Sequence, residues 1–454
     1  MEDVEVPDYF LCPISMQLMR DPVTTSTGIT YDRENIEKWL FKCKNTTCPI
    51  TKQELLTMDL TPNHTLRRVI QSWCIMNSSH GVERIPTPKS QVTKSYVLKL
   101  LKQAMQSQEM QLSCLRKLKS IVHASESNKK CLESCEVVDF LASIIMKQEM
   151  TFIQDSEFRI SGRDTLLQKV VPSDIVSPKD SESYKLSCDN SQTPLVLEYF
   201  TTKTSDEALD ILFHLNPSDE TLKKLISKDN GDELFLDSLL YFLKCGNYQS
   251  RDYAIMLLKS AFNVADPCQL IGAKQEYFKE ILLFLNNKLI SQQATKASLK
   301  LLVELCPWGR NRIKAIEVGA ISTLIELLID TIERRSCELI LTILHQLCSC
   351  AEGRAELLNH GAGIAIISKK VLRVSQVASD RGVRILCSIS KFSATCKVLQ
   401  EMLQVGVVSK LCLVIQVDSC SKTKEKAKEI LRLHSRVWRD SSCLPPQLLS
   451  SYPS

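Results

Sequence analysis

The 454 residues are enough for two or three ordinary domains or for one extended repeat array. With 13 glycines and 16 prolines the chain is poor in turn formers, which speaks against a loop-rich fold and for long helices with short connections. A net charge of +5 with no dense Lys/Arg tract leaves no footprint for nucleic acid, and no apolar run approaches the ~18 residues of a membrane span.

The first residues, Met1-Glu2-Asp3-Val4-Glu5, are acidic and lack the basic and apolar regions of a signal peptide. The 19 cysteines are scattered through apolar helical patterns, as at Cys306, Cys337, Cys348, Cys387 and Cys412, and no C-x-x-C pair occurs. They read as reduced core residues of a soluble cytoplasmic protein rather than a disulfide framework.

Near the amino terminus, Cys12-Pro13-Ile14-Ser15 and Cys48-Pro49-Ile50-Thr51 each keep the first half of a C-P-x-C pair, with a hydroxyl residue where the second cysteine belongs. Zinc takes four soft or borderline ligands at fixed spacing, so the expectation is a module without metal or cofactor. Asp21-Pro22-Val23 enters a strand, and Gly28 before Ile29-Thr30-Tyr31 predicts a tight hairpin. Asp32 is placed to cap a helix from Arg33 to about Lys42, with Ile36 and Leu40 buried and Trp39 at the edge of their stripe. Beyond Pro62, Asn63 or Thr65 caps a second helix whose stripe is Leu66, Val69, Ile70 and Trp73.

The series Phe10-Leu11-Cys12-Pro13-Ile14, Asp21-Pro22-Val23, Gly28-Ile29-Thr30-Tyr31-Asp32-Arg33, Ile36, Trp39-Leu40, Cys48-Pro49-Ile50-Thr51 and Pro62-Asn63 resembles the U-box in order and spacing. That family is a small RING-like α/β unit in which hydrogen bonds and salt bridges occupy the former zinc positions. The resemblance makes Ser15, Thr51, Asp32, Arg33 and Glu37 candidate members of those networks. It also implies ubiquitin ligase activity without a covalent intermediate on this chain. Ile14 of the first loop, Trp39 of the helix and Pro49 of the second loop would then dock a ubiquitin-charged conjugating enzyme, an apolar hot spot for a transient partner. Lys52, where such ligases often carry a basic residue, is the candidate bridge to both the conjugating enzyme and ubiquitin.

Residues 80–93 carry Pro86, Thr87 and Pro88 and read as a linker after a U-box at 6–79. From Lys94 the helical pattern is continuous to about 440, followed by a tail over 441–454. Segments such as Asn128–Val138, Asn311–Ile321, Arg354–Ala362 and Cys396–Val408 align on one another, each a short helix that ends at glycine, or at Cys135 in the first. Gly231, Gly319, Gly361 and Gly406 recur at about 44 residues or its double. This period resembles armadillo repeats, about six of them, with glycine allowing a positive-φ turn between helices. His345 and His434 lie within the helices as structural residues. The stretch 154–194, rich in Ser, Asp and Pro, reads as a loop insertion, and its Ser177-Pro178 and Thr193-Pro194, with Thr87-Pro88, are candidate proline-directed phosphorylation sites.

The fold class is therefore mainly α: a small metal-free U-box followed by an armadillo-type α-solenoid. That layout resembles plant ubiquitin ligases of the short class, whose armadillo region binds the protein substrate and which often act in defence or stress signalling. A homo-oligomer is compatible with the resemblance. The rival reading is an armadillo adaptor with a non-catalytic U-box. Only Trp308 with Asn311 resembles the Trp/Asn ladder of importin-like grooves.

Overall fold

A computed structural model describes residues 5–43, 45–85, 92–147, 193–227, 234–287, 290–417 and 420–438. Their contacts divide them into two units, one reaching Ile144 and including the helix Thr193–Leu215, the other running from Ser218.

The first unit opens with a three-stranded antiparallel sheet. β1 (Pro22–Thr24) lies between β2 (Thr30–Asp32) and β3 (Thr61–Pro62), with Val23 opposite Tyr31 on one side and Pro62 on the other. Gly28, at φ +80°, closes the hairpin by donating its N–H to the Thr25 carbonyl at 2.9 Å; only glycine takes that conformation freely. α1 (Arg33–Glu37) continues through a wider π-helical turn over Lys38–Lys42. α2 (His64–Met76) is capped by Asn63, whose side chain accepts the Leu66 N–H at 3.0 Å. The core is Phe10, Cys12, Met19, Val23, Tyr31, Ile36, Leu40, Cys48, Leu55, Ile70 and Cys74. So small a core does not seal the whole α2 stripe, and Val69 is left 46% exposed. Val82 and Ile85, in the segment expected as linker, also pack against this core.

The rest of the described chain is mainly helical. α3 (Lys94–Ala104) and α4 (Gln108–Ala124) precede a triplet formed by α5 (Glu126–Glu133), α6 (137–147) and α7 (Thr193–Leu215). Five further triplets make up the second unit: α8–α10 (Asp219–Ser227, Leu234–Cys245, Tyr248–Val264), α11–α13 (Pro267–Ile271, Gln275–Leu285, Gln292–Leu305), α14–α16 (Gly309–Glu317, Ala320–Asp330, Arg334–Leu347), α17–α19 (Ala351–Asn359, Gly363–Lys370, Gln376–Phe392) and α20–α22 (Cys396–Gln404, Val407–Gln416, Ser421–Leu433). The third helices of these triplets pack on one another in series. Trp438, fully buried, closes the described chain and donates its indole N–H to the Leu399 carbonyl at 3.2 Å. No single helix among the described residues is long and apolar enough to cross a membrane.

Neighbouring triplets are tied by side chains that reach back about one repeat to a backbone carbonyl. Gln346 donates to Val303 at 3.2 Å, Ser388 to Cys348 at 2.9 Å and His434 to Ser390 at 2.9 Å. Lys314, Lys370 and Lys410 reach Ala273, Thr331 and Val371 in the same way, at 2.6, 2.7 and 3.3 Å. The accepting carbonyls lie in the last turn of a helix or just beyond a helix end, where intrahelical partners run out. Burial, reinforced by Arg381 and Arg384, pushes the His345 imidazole down to about 4 and keeps it neutral.

Several local expectations are corrected. Gly319 and Gly406 do take positive φ, +85° and +74°, but Gly361 does not. In that repeat the glycines needed for close approach are Gly353, Gly363 and Gly382, and at Gly363 a Cβ would collide with the Leu357 carbonyl oxygen. In the first triplet the left-handed residue is Glu136 at φ +58°, not Cys135. Asn311 is no ladder residue: it is fully buried and donates to the Leu270 and Leu305 carbonyls at 2.7 and 3.1 Å. Thr193 and Pro194 form the first turn of α7 rather than a loop. Gly231, Thr87-Pro88, Ser177-Pro178, the remainder of 154–194 and the tail lie outside the described residues.

Candidate functional site

Two loops of the first unit share one backbone design. In loop one Cys12 N–H donates to the Gln17 carbonyl at 2.8 Å and Met16 N–H to the Cys12 carbonyl at 2.8 Å. In loop two Cys48 N–H donates to Gln53 at 2.8 Å and Lys52 N–H to Cys48 at 3.0 Å. Met16 and Lys52, at equivalent places, both take positive φ, +54° and +59°. The repeated C-P-I-[ST]-x-Q sequence thus folds twice into the same knuckle.

Donors rather than further soft ligands surround each thiol. Cys12 Sγ accepts the Asp32 N–H at 3.3 Å, and Asn35 Nδ2 reaches both Cys12 Sγ at 3.7 Å and Ser15 Oγ at 3.0 Å. Cys48 Sγ lies 3.4 Å from Thr27 Oγ1 and 3.0 Å from the Tyr31 hydroxyl. Burial raises the Cys48 pKa, but hydrogen bonds from Thr27, Thr51 and Tyr31 outweigh it and bring the thiol down to about 6. Burial and the Cys48 contact together push the Tyr31 phenol well up, so Tyr31 is the donor of that pair.

A charged network lies behind the first knuckle. Asp32 stands at the N-cap of α1, but its carboxylate turns away from the helix and accepts the Arg20 and Asp21 N–H groups at 2.8 and 2.9 Å. Arg33 Nε donates to Asp21 at 2.6 Å, and its Nη1 lies 3.6 Å from Glu37, as does Arg67 Nη1 from Asp21. Burial raises the pKa of both Asp32 and Glu37. Of these partners Asn35, Thr27, Tyr31, Asp21 and Arg67 were not singled out from sequence as network members. For Asn35 alone the sequence carries a signal, the four-residue step to Trp39, which puts both on one face of the helical stretch Arg33–Lys42.

That face organises the site. Asn35 holds loop one through Ser15, and one turn on the Trp39 indole N–H holds loop two through the Thr47 carbonyl at 2.8 Å. Lys52 places its ammonium 5.7 Å from the centroid of the Trp39 ring, within cation–π range. Ile14 and Ile50 at the loop tips are exposed, and Pro49 is half-buried beside them. The two loops tied to this helical face each expose an isoleucine, and Lys52 lies near the Trp39 ring.

Comparison with known proteins bears on what this surface belongs to. Residues 6–79 match the family described as "U-box domain", and residues 96–454 match "Plant U-box protein ARM repeat region". Among similar proteins of Arabidopsis thaliana, E3 ubiquitin-protein ligase PUB22 is 49% identical over 458 residues, with 100% of each chain covered. E3 ubiquitin-protein ligase PUB23 is 49% identical across 100% of this chain and 98% of its own, and E3 ubiquitin-protein ligase PUB24 is 38% identical across 99% and 96%. Matched along its whole length, with both knuckles and the helical triplets in place, the chain belongs to the plant U-box/armadillo-repeat family of ubiquitin ligases.

Proposed function

We propose that the U-box recruits a ubiquitin-charged conjugating enzyme and promotes direct transfer to a protein substrate held by the armadillo repeats. The observation that carries this reading is the single face of the Arg33–Lys42 helical stretch, Asn35 and Trp39, that fixes both loops. Ile14 and Pro49 form the apolar contact, and the Trp39 ring supports Lys52. Lys52 is the bridging residue, donating to conjugating enzyme and ubiquitin together; its ammonium offers a point charge rather than the planar fork of arginine.

The reaction needs no nucleophile on this chain. The thioester belongs to the conjugating enzyme, and the ligase holds it in an attack-ready pose near a substrate lysine. A hundredfold acceleration requires only about 2.7 kcal/mol of transition-state stabilisation, the scale of one or two charge-assisted hydrogen bonds. Plant defence or stress signalling in the cytoplasm is the setting this layout favours.

The test is a reconstituted ubiquitination assay with activating enzyme, a panel of conjugating enzymes and excess EDTA. Ile14→Ala is the decisive variant, because that side chain is exposed and its loss leaves the core intact. Activity should fall at least tenfold with unchanged circular dichroism, and Lys52→Ala should lower turnover more than conjugating-enzyme affinity. Full activity in folded Ile14→Ala would remove the docking assignment. Inactivity of the wild type with every conjugating enzyme would shift the reading to an armadillo adaptor.

A further inference from the structure

The helical stretch Arg33–Lys42, α1 with the π turn that continues it, has a second face. Arg33, Glu37 and Phe41 are spaced by four, two residues out of step with Asn35 and Trp39, and therefore lie on the opposite side of the helix. That side meets the first armadillo triplet. The Glu37 carboxylate, almost wholly buried, faces the backbone amides of Glu126 and Ser127 in the first turn of α5. This is the end of α5 at which unpaired N–H groups and the helix dipole favour an anion. One turn further along each helix, the Lys130 ammonium lies 3.6 Å from the centroid of the Phe41 ring. The described residues at either end of the connecting segment touch both sides: Val82 and Ile85 pack on the U-box core. Val92 donates its N–H to Asn128 at 3.4 Å and accepts from the Cys131 thiol at 3.6 Å. A cavity beside the contact is lined by Glu37, Lys38 and Lys42 from the U-box and by His123, Glu126 and Lys129 from the helical region.

We propose that Glu37 and Phe41 form a latch which mounts the U-box on the amino-terminal end of α5, so that the U-box and the first armadillo triplet move as one body. The two faces of this helical stretch then do different jobs: one presents the loops, the other fixes the direction in which they point. The latch stands on contacts alone; its consequence for transfer, a charged conjugating enzyme held at a set bearing from the first triplet, rests on the ligase reading.

Hydrogen exchange with mass spectrometry on the full chain tests it. Glu37 also belongs to the charged network, so the informative variants sit across the joint. Glu126→Pro removes one amide donor at the first helical position of α5, where proline is tolerated after the extended Ser125. Glu126→Ala keeps that amide and loses only the ion pair to Lys129. Exchange across Arg33–Lys42 should rise about tenfold in Glu126→Pro and in Lys130→Ala but not in Glu126→Ala, with α4 peptides unchanged. Phe41→Ala should raise exchange across α5 by a similar factor. If variants on either side leave the other side unchanged, the latch is wrong. Discharge of loaded conjugating enzyme onto free lysine should be equal in wild type and Glu126→Pro; its absence from the wild type would count against the ligase reading, not the latch.

Discussion

At Gly319 the backbone sits at φ +85° with open space where a Cβ would go, so strain alone opposes a side chain there. Gly319→Ala should cost about 1 kcal/mol, whereas Gly361→Ala, at ordinary φ, should be neutral or slightly stabilising. Gly363→Ala should cost more than either, since its Cβ would collide with a carbonyl that cannot swing aside. Thermal melts of the three variants give the order, and an equal loss at Gly319 and Gly361 would contradict it. His345 supplies a pH signature. Its folded pKa of about 4 lies below the ordinary 6.5, so the unfolded chain takes up a proton first and stability falls as pH drops from 6.5 to 4. His345→Leu should flatten that fall by something on the order of 1 to 2 kcal/mol, with solvent at the ring's exposed edge screening the full effect. A slope identical to wild type would refute it. The glycine spacing was legible in the sequence; which glycine is needed for φ and which for close approach was not. That depends on where the preceding carbonyl points.

The knuckles show the same division at the scale of elements. Their duplicated motif is plain in the sequence, and so are the hairpin, both helices and the loss of two zinc ligands. Sequence does not reveal that the Trp39 indole finds the Thr47 carbonyl, or that Asp32 abandons its cap for the Arg20 and Asp21 amides. Those partners meet only after the chain has turned. The thiol environment makes a further prediction. Tyr31→Phe removes a donor to Cys48 and should raise that pKa above about 6, seen as a later onset of thiolate absorbance relative to a Cys48→Ala blank. The depressed folded pKa stabilises the fold above the ordinary thiol value of about 9, and this contribution is lost as pH falls through 6. The variant should therefore gain less stability than wild type between pH 6 and 9; an unchanged titration would show that the hydroxyl does not act on Cys48.

For the whole molecule, the period of about 44 residues could be read from the sequence because each triplet repeats one plan, yet the short helix α11 and the Glu136 turn departed from it locally. Both knuckles are filled by hydroxyl, amide and phenol groups, so the unfolding midpoint should be the same with and without EDTA; a fall of several degrees would mean that a metal supports the fold. The side chains that reach back one repeat have a mechanical counterpart. Lys314, Lys370 and Lys410 each bolt one triplet to its neighbour, so a pulling force applied to the ends meets a row of separate joints. In an optical trap the second unit should yield as a staircase whose steps each release one triplet, and Lys370→Met should weaken a single step while leaving the others at their wild-type force.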